Sequence, residues 1–327
     1  MAGVIGIGNA LTDIMTILPN NDIIQELGYP KGSMQLVDRV ASQKVLDVIK
    51  NIPQTITSGG SAANAIHGLA KLGIETAFIG KIGKDKYGEF FSTDLINSGI
   101  KPILLQSETA SGIAIALVTP DSERTFAVYL GSAVELVADD IKQEYFSGYT
   151  YFHIEGYLLQ NHELMIKVTS EAKKAGLKIS LDLASFNVVE ENMDFLHDFV
   201  KKYVDIVFAN EDEAKAYTGH LPQQALHAIA EECEIVAVKI GKEGSYVKHN
   251  GIVYIISSIK ANSIDSTGAG DLYASGFLYG LIKNLGFEKA GKIGSLLSGN
   301  VIETIGAKMN ADKWKSLIEE VKRIEKE

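Results

Sequence analysis

TYFHIEG (150–156), KISLDL (178–183), DIVFAN (205–210) and EIVAVKIG (234–241) follow one another along the chain, and between them lie 162–176 and 191–203, whose apolar residues recur at helical spacing. Short β-type runs alternating with amphipathic helices define βαβ units, and repeated units give a mainly parallel sheet covered on both faces. AFIGKIG (77–83) extends the pattern toward the N-terminus, and residues 3–9 read as a buried first strand. The expected fold is therefore α/β, and ligands in such folds bind beyond the carboxyl ends of the strands.

Two segments break the rhythm. Residues 103–130 read as strands without intervening helices: ILLQS, SGIAIALVTP, a turn at Asp121-Ser122, then RTFAVYL. Residues 14–37 are also extended, with IMTILP and SMQLVD flanking a short polar helix. Together they predict a small β-sheet lid, with ordinary edge hairpins as the alternative. No repeat, low-complexity tract or linker divides the chain, so 1–327 is expected to form a single α/β domain.

Composition narrows the function. The 327 residues are 46% apolar, which suits a globular protein with a sizeable core. A net charge of −10 repels polyanions, and no basic patch offsets it. Lys173-Lys174 and Lys201-Lys202 sit at the ends of helical segments, where positive charge is favourable. Neither nucleic acid nor membrane is therefore an expected partner. The apolar N-terminus carries no basic residue before Lys31 and is interrupted by Asp13, so it does not read as a secretory signal, and no run is long enough to span a bilayer. Cys233 is the only cysteine and reads as a packed small residue, in keeping with the cytoplasm.

The densest chemical signal is SIDSTGAGDLYASGFLYGLIKN (263–284). Gly268-Ala269-Gly270 leads into a helix whose first N–H groups form an anion site suited to phosphate, and Asp271 stands in its first turn. An N-terminal aspartate alone can be a cap; Gly-Ala-Gly, the upstream Asp265 and a preceding strand shift the weight toward a proton acceptor for phosphoryl transfer. SGGSAANAIHGLAKLG (58–73) turns through Gly59-Gly60 into a second helix carrying Asn64, which suits a hydroxyl-rich ligand or, equally, tight packing. Asn210 and Glu213 share a helical face and read either as partners of a Mg²⁺ hydration shell or as a helix cap. Lys239-Ile240-Gly241-Lys242-Glu243-Gly244 reads as a nucleotide-approach loop or a plain turn. Residues 286–293 mimic a P-loop but end in Ile, and after Gly6 and Gly8 the third glycine of a dinucleotide fingerprint is replaced by Leu11.

GGSAANA, NEDE (210–213) and DSTGAGD (265–271), in this order, resemble the ribokinase-like (phosphofructokinase B type) family of sugar and nucleoside kinases. GNALTDI, KGSMQLVD and VDIVFANEDEA look most like its adenosine kinase branch. The resemblance implies a mainly parallel sheet with a β lid, an ATP- and Mg²⁺-dependent reaction, and a small-molecule acceptor: adenosine first, with a ribokinase- or fructokinase-type sugar as the alternative. It assigns Asp271 as general base and Gly268, Ala269 and Gly270 as anion hole. Asp13, Gly59, Gly60 and Asn64 become contacts to acceptor hydroxyls, and Asn210, Glu213, Lys239, Gly241 and Gly244 the nucleotide and Mg²⁺ region, with Glu213 acting on the metal through water. It further places Asp265 near a K⁺ site and allows a homodimer through the lid. Asp-Ser-Thr before Gly-Ala-Gly departs from the Asp-Thr-Asn of adenosine kinases, and Arg124 looks more like a sugar-kinase lid arginine approaching a ligand. Leu11, Met34, Tyr129 and Phe186 are the candidates for a base pocket.

Overall fold

The computed structural model describes residues 3–121 and 123–327. Among these, fourteen strands form: β1 (Gly3–Ile7), β2 (Leu11–Ile17), β3 (Met34–Leu36), β4 (Gln54–Gly59), β5 (Glu75–Gly83), β6 (Ile100–Ser107), β7 (Gly112–Val118), β8 (Arg124–Tyr129), β9 (Tyr151–Glu155), β10 (Lys178–Asp182), β11 (Ile206–Asn210), β12 (Ile235–Lys239), β13 (Ser245–His249) and β14 (Ile252–Ile256). Nine build one sheet in the order β14-β13-β12-β11-β10-β9-β1-β5-β6, and five build a second in the order β3-β8-β7-β2-β4.

From β12 to β6 every neighbour in the large sheet is parallel, and β13 and β14 add an antiparallel edge. Successive residues of a strand face opposite sides. Ile5 and Ile7 therefore join Phe152, Ile154, Met165 and Phe199 in one core, while Val4 joins Ile66, Phe78 and Phe277 in the other. Parallel pairing also brings the carboxyl ends of the strands to one edge. Glu155, Asp182, Asn210 and Lys239 are the last residues of β9, β10, β11 and β12, and Gly8-Asn9 follow β1. The alternation of runs and helices thus carries four polar side chains and one turn to a common rim.

The small sheet has one covered face, where Ile14, Ile113, Ile115, Leu117 and Ala127 pack with Ile24, Val45 and Ile49. The helices Asp22–Leu27 and Arg39–Ile49 supply that cover. Leu11, Asp13 and Met15 take the alternate face of β2, and Met15 packs on Gly306 of the main body. The observed sheet differs from the expected lid segments in two ways. Ile103–Ser107 belongs to β6, paired with β5 in the large sheet, because the helix Lys86–Asn97 makes it the return strand of a βαβ unit. β4 joins the small sheet although it lies outside both segments; its sequence QTITSG is exposed over its first half and carries no apolar run to announce it. Ser122, half of the expected turn, lies outside the described residues.

Candidate active site

Gly268 opens the helix Ala269–Ile282 in the left-handed region, at φ 79°, and a Cβ there would fall 2.6 Å from that of Ala307. Glycine is thus required twice over, by conformation and by contact. Ala269 N–H turns back to the Ser266 carbonyl (3.2 Å), and the N–H groups of Gly270 and Asp271 lie in the first turn, where a helix offers no internal acceptor. Asp271 does not behave as a simple cap: both carboxylate oxygens are bound by another helix, Ser61 Oγ donating to Oδ1 (2.7 Å) and Asn64 Nδ2 to Oδ2 (2.9 Å). Its edge stays open to the cleft, while the protein packed around it pushes the carboxyl up to about 6 by burial, against those two hydrogen bonds. Ser61 had no place in the sequence reading, although it stands inside GGSAANA.

Those donors are aimed by the turn before the helix Ser61–Lys71. The Asp13 carboxylate folds over Gly59, where a Cβ would lie 2.1 Å from Oδ1, and Gly60 takes φ 91° against the Asn9 carbonyl. Burial pushes Asp13 up to about 7, opposed by Lys308 and reinforced by Asp271. Beneath the turn, buried Glu155 accepts from Asn9 N–H (2.8 Å) and Ala62 N–H (3.0 Å), tying the β1 loop to the helix start. Burial pushes its carboxyl up to about 7 as well. The sequence marks Glu155 only as part of a strand; its position at a strand's carboxyl end was the available signal.

Lys239 lies elsewhere than expected. Its ammonium turns inward, 3.0 Å from Asp182 Oδ2 and 3.0 Å from where a Gly270 Cβ would stand, so it flanks the anion hole, not the outer loop. Burial lowers its proton affinity, but Asp182 and Glu213 outweigh that and hold it above the usual lysine range. Asn210 and Glu213 form a capping box: Asn210 N–H and Nδ2 each donate to Glu213 (2.7 Å), and Glu213 N–H donates to Asn210 Oδ1 (2.9 Å). Burial pushes the Glu213 carboxyl up. Gly241 and Gly244 make the turn from β12 to β13. Asp182, Glu213 and Asp271 thus gather around one ammonium. This excess of hard oxygen donors fits a divalent cation that keeps most of its waters; among the described residues no three acidic or histidine side chains are grouped tightly enough to hold an ion alone.

An ion pair and a lysine hydrogen bond tie the small sheet to the body. Arg124 of β8 reaches Asp265 Oδ1 (3.1 Å) and donates to the Ile264 carbonyl (3.1 Å). Asp265, 3% exposed, also accepts from Thr267 N–H (2.9 Å) and Gly306 N–H (2.6 Å). Its charge is therefore met from within the chain, and Arg124 is engaged with this loop. At the second junction Lys308 lies 2.5 Å from Asp94 Oδ2 and donates to Ser58 Oγ. Lys308 was not singled out in the sequence. Of the base-pocket candidates, Leu11 packs on Gly112 and Tyr129 on Gly131, while Met34 and Phe186 are exposed.

A Gly-Ala-Gly turn at a helix start, an aspartate held from a second helix and the Asp13 carboxylate of the small sheet gather beyond the carboxyl rim of the parallel sheet, an arrangement suited to a phosphotransferase. Residues 33–314 match the pfkB family carbohydrate kinases, and the chain belongs to that family. It is an ATP-dependent kinase acting on a sugar or nucleoside. The chain is 29% identical over 261 residues to a 5-dehydro-2-deoxygluconokinase of Bacillus licheniformis, covering 75% of this chain and 80% of that one. Its structure is similar to a probable sugar kinase from Rhizobium etli, with TM-score 0.86, 30% identity and 98% of each chain covered. It is equally similar to adenosine kinase from Sinorhizobium meliloti, with TM-score 0.86, 29% identity and 98% and 99% covered. Among the described residues, no helix is long and apolar enough to cross a membrane.

Proposed function

We propose that this kinase transfers the γ-phosphoryl group of ATP to the hydroxymethyl group of a ribose-like acceptor, with adenosine as the first acceptor to consider. The observation that carries the reading is the double anchoring of Asp271 beside its own helix start, with Asp13 facing it. Asp271 accepts the hydroxyl proton; a carboxyl near 6 is mostly ionised at neutral pH yet more basic than an ordinary aspartate. The N–H groups of the Gly268-Ala269-Gly270 turn, flanked by Lys239, receive the charge on the transferring group. Asp13, with Gly59, Gly60 and Asn64, receives the ring hydroxyls. Asn210, Gly241 and Gly244 border the nucleotide. Asp182 and Glu213 would hold Mg²⁺ through its waters, and a bound Mg²⁺ supplies neutralisation of the phosphate charge.

The small sheet acts as the lid, excluding water when it closes over the acceptor. Its outer side exposes Ile17, Met34 and Leu36, which supports a homodimer through this face. The half-buried Cys233, its thiol pushed up to about 12 by burial, suits a reducing cytoplasm. The side chains around Asp271 and Asp13 are acidic and the neighbouring cations are paired, which favours an uncharged acceptor over a phosphosugar. Likeness to an adenosine kinase over nearly the full chain supports adenosine; a free sugar or sugar derivative is the second reading, favoured by the 5-dehydro-2-deoxygluconokinase relative.

ADP release from MgATP, measured with adenosine, ribose, fructose and 5-dehydro-2-deoxygluconate, separates the two. A response to adenosine alone supports the nucleoside reading. A response confined to a free sugar or sugar derivative overturns it.

A further inference from the structure

Lys308 lies in the segment Gly306-Ala307-Lys308, which touches both ends of the cleft. Gly306 N–H binds Asp265 ahead of the anion hole, Ala307 packs on Gly268 within it, and Lys308 reaches Ser58, the residue before Gly59. The Lys308 side chain is 14% exposed. Asp94 Oδ2 takes Lys308 together with Ser58 N–H (3.1 Å) and Ser58 Oγ (2.6 Å), so one carboxylate oxygen serves three donors. Asp13, by contrast, has no hydrogen-bond donor among the described residues and folds over Gly59 next to this cluster. The groups acting on Lys308 are Asp94 from the helix Lys86–Asn97, Asp13 from β2 and Lys71 from the helix Ser61–Lys71. His67 of that last helix also feels Lys308 and, pushed down to about 3 by burial, is neutral. Those acting on Asp13 are Lys308 and Asp271.

We propose that Lys308 is a positioning residue for the acceptor: seated between Asp94 and Ser58, its ammonium favours the charged form of the Asp13 carboxylate that lies over Gly59, ready to accept hydrogen bonds from acceptor hydroxyls. This rests on the kinase reading above, in which Asp13 contacts the acceptor. An ionised carboxylate offers only acceptors, whereas its protonated form turns one oxygen into a donor and loses charge-assisted bonding. Burial raises Asp13, and Lys308 is the cation that opposes it. Removing the ammonium moves the Asp13 titration upward, so the loss is greatest below neutrality and fades as the solution becomes alkaline.

The test compares Lys308→Met and Lys308→Arg in steady-state kinetics between pH 6 and 9. Lys308→Met is expected to raise the acceptor KM about fivefold at pH 7 and about tenfold at pH 6, the effect of a one-unit change in Asp13. KM for MgATP stays unchanged, saturated kcat stays within about threefold, and the acceptor KM recovers at pH 9; Lys308→Arg restores most of the loss. A KM penalty equal at pH 6.5 and 9, or a loss confined to kcat, overturns the proposal. Asp94→Asn covers the case in which Lys308→Met does not fold: it leaves Asp13 as the remaining carboxylate partner of Lys308, so the acidic limb of kcat/KM should move down, and an upward move counts against the idea. Carbon-13 NMR of the Asp13 carboxyl needs no turnover. A lower titration midpoint in the wild type than in Lys308→Met supports the proposal even if no acceptor in the panel is phosphorylated, and equal midpoints overturn it while leaving the kinase reading intact.

Discussion

Asp271 and Asp13 sit at opposite sides of one cleft, and both are half-buried carboxylates raised above the ordinary aspartate range, yet they are held by different means. Asp271 belongs to the rigid body, at the start of a long helix, where two neutral donors from a second helix fix both of its oxygens. Asp13 belongs to the small sheet, lies over a glycine, and is balanced by one nearby ammonium with no donor of its own among the described residues. Orientation is the result in the first case, since two directed hydrogen bonds leave a carboxylate little freedom. Availability is the result in the second, because an ionised carboxylate without partners keeps its lone pairs for a ligand. In the proposed reaction the body side would serve proton transfer and the lid side recognition.

The largest expected effect tests that division directly. Asp271→Asn removes the proton acceptor and should lower kcat about 10²–10⁴-fold, the usual contribution of a general base. The variant should fold and bind: Asn64 Oδ1 is buried without a partner, so rotation of the Asn64 amide lets it accept from the new amide group. Asp13→Asn is expected to act mainly on the acceptor, raising its KM about tenfold or more, as loss of hydrogen bonds to a charged group does, with a smaller change in kcat. Steady-state kinetics with saturating MgATP measures both. If the two variants divide their losses between kcat and KM in the same proportion, the cleft has no such division.

A second-rank effect comes from the donors. Ser61→Ala or Asn64→Ala removes a hydrogen bond that favours the ionised form of Asp271, so its carboxyl rises from about 6 and the acidic limb of the kcat profile moves to higher pH. Near pH 8 the rate should recover to within a few-fold of wild type. Asp13 should be little affected by Ser61→Ala, so the acceptor KM of that variant should barely change at that pH, whereas Asn64→Ala should raise it as well, because Asn64 is also placed against the acceptor. An acidic limb that stays in place would mean that Ser61 and Asn64 shape the pocket without tuning the base.

How far these two sides were legible in advance follows the same contrast. The strands β9 to β12 announce themselves as apolar runs because a parallel sheet buries both of their faces, and Gly-Ala-Gly-Asp announces the anion hole because backbone approach leaves a compositional trace. β4 and Lys308 left none. β4 is half exposed and polar, and Lys308 acquires its meaning only through Asp94 and Ser58, which are far from it in sequence. Lys239 was found, but the direction of its side chain was not legible, since at a strand end that direction is decided by Asp182 on the neighbouring strand. Arg124 was expected near a ligand, and its tie to Asp265 depends on how the small sheet docks.

The smallest effect is on stability, and its size separates the two carboxylates again. Asp13, raised from 3.8 to about 7, Glu155, raised from 4.5 to about 7, and Asp271, raised from 3.8 to about 6, each bind a proton more tightly in the folded chain. A raised pKa contributes stability that is complete below the unfolded value and lost as pH climbs through the folded one, here between about 4 and about 7. His67 and His153, lowered by burial to about 3 and about 4, act the other way: their contribution is complete above 6.5 and lost as pH falls toward those values. Glu213, raised from 4.5 to about 7, adds a fourth. Four groups outweigh two, so the ligand-free protein should melt slightly higher at pH 5 than at pH 8, in the range where activity rises with pH. Asp13→Asn removes one of the four. At pH 5 the replaced carboxyl was already neutral and Tm should hardly move; at pH 8 the variant should melt higher than wild type, by about 2 °C for each kcal/mol recovered. The gain should be smaller for Asp271→Asn, because Ser61 and Asn64 already stabilise the ionised form there. Calorimetry of the three proteins at both pH values measures this, and a larger gain at Asp271 than at Asp13 would reverse the assignment of which carboxylate is held by donors and which is left free for the acceptor.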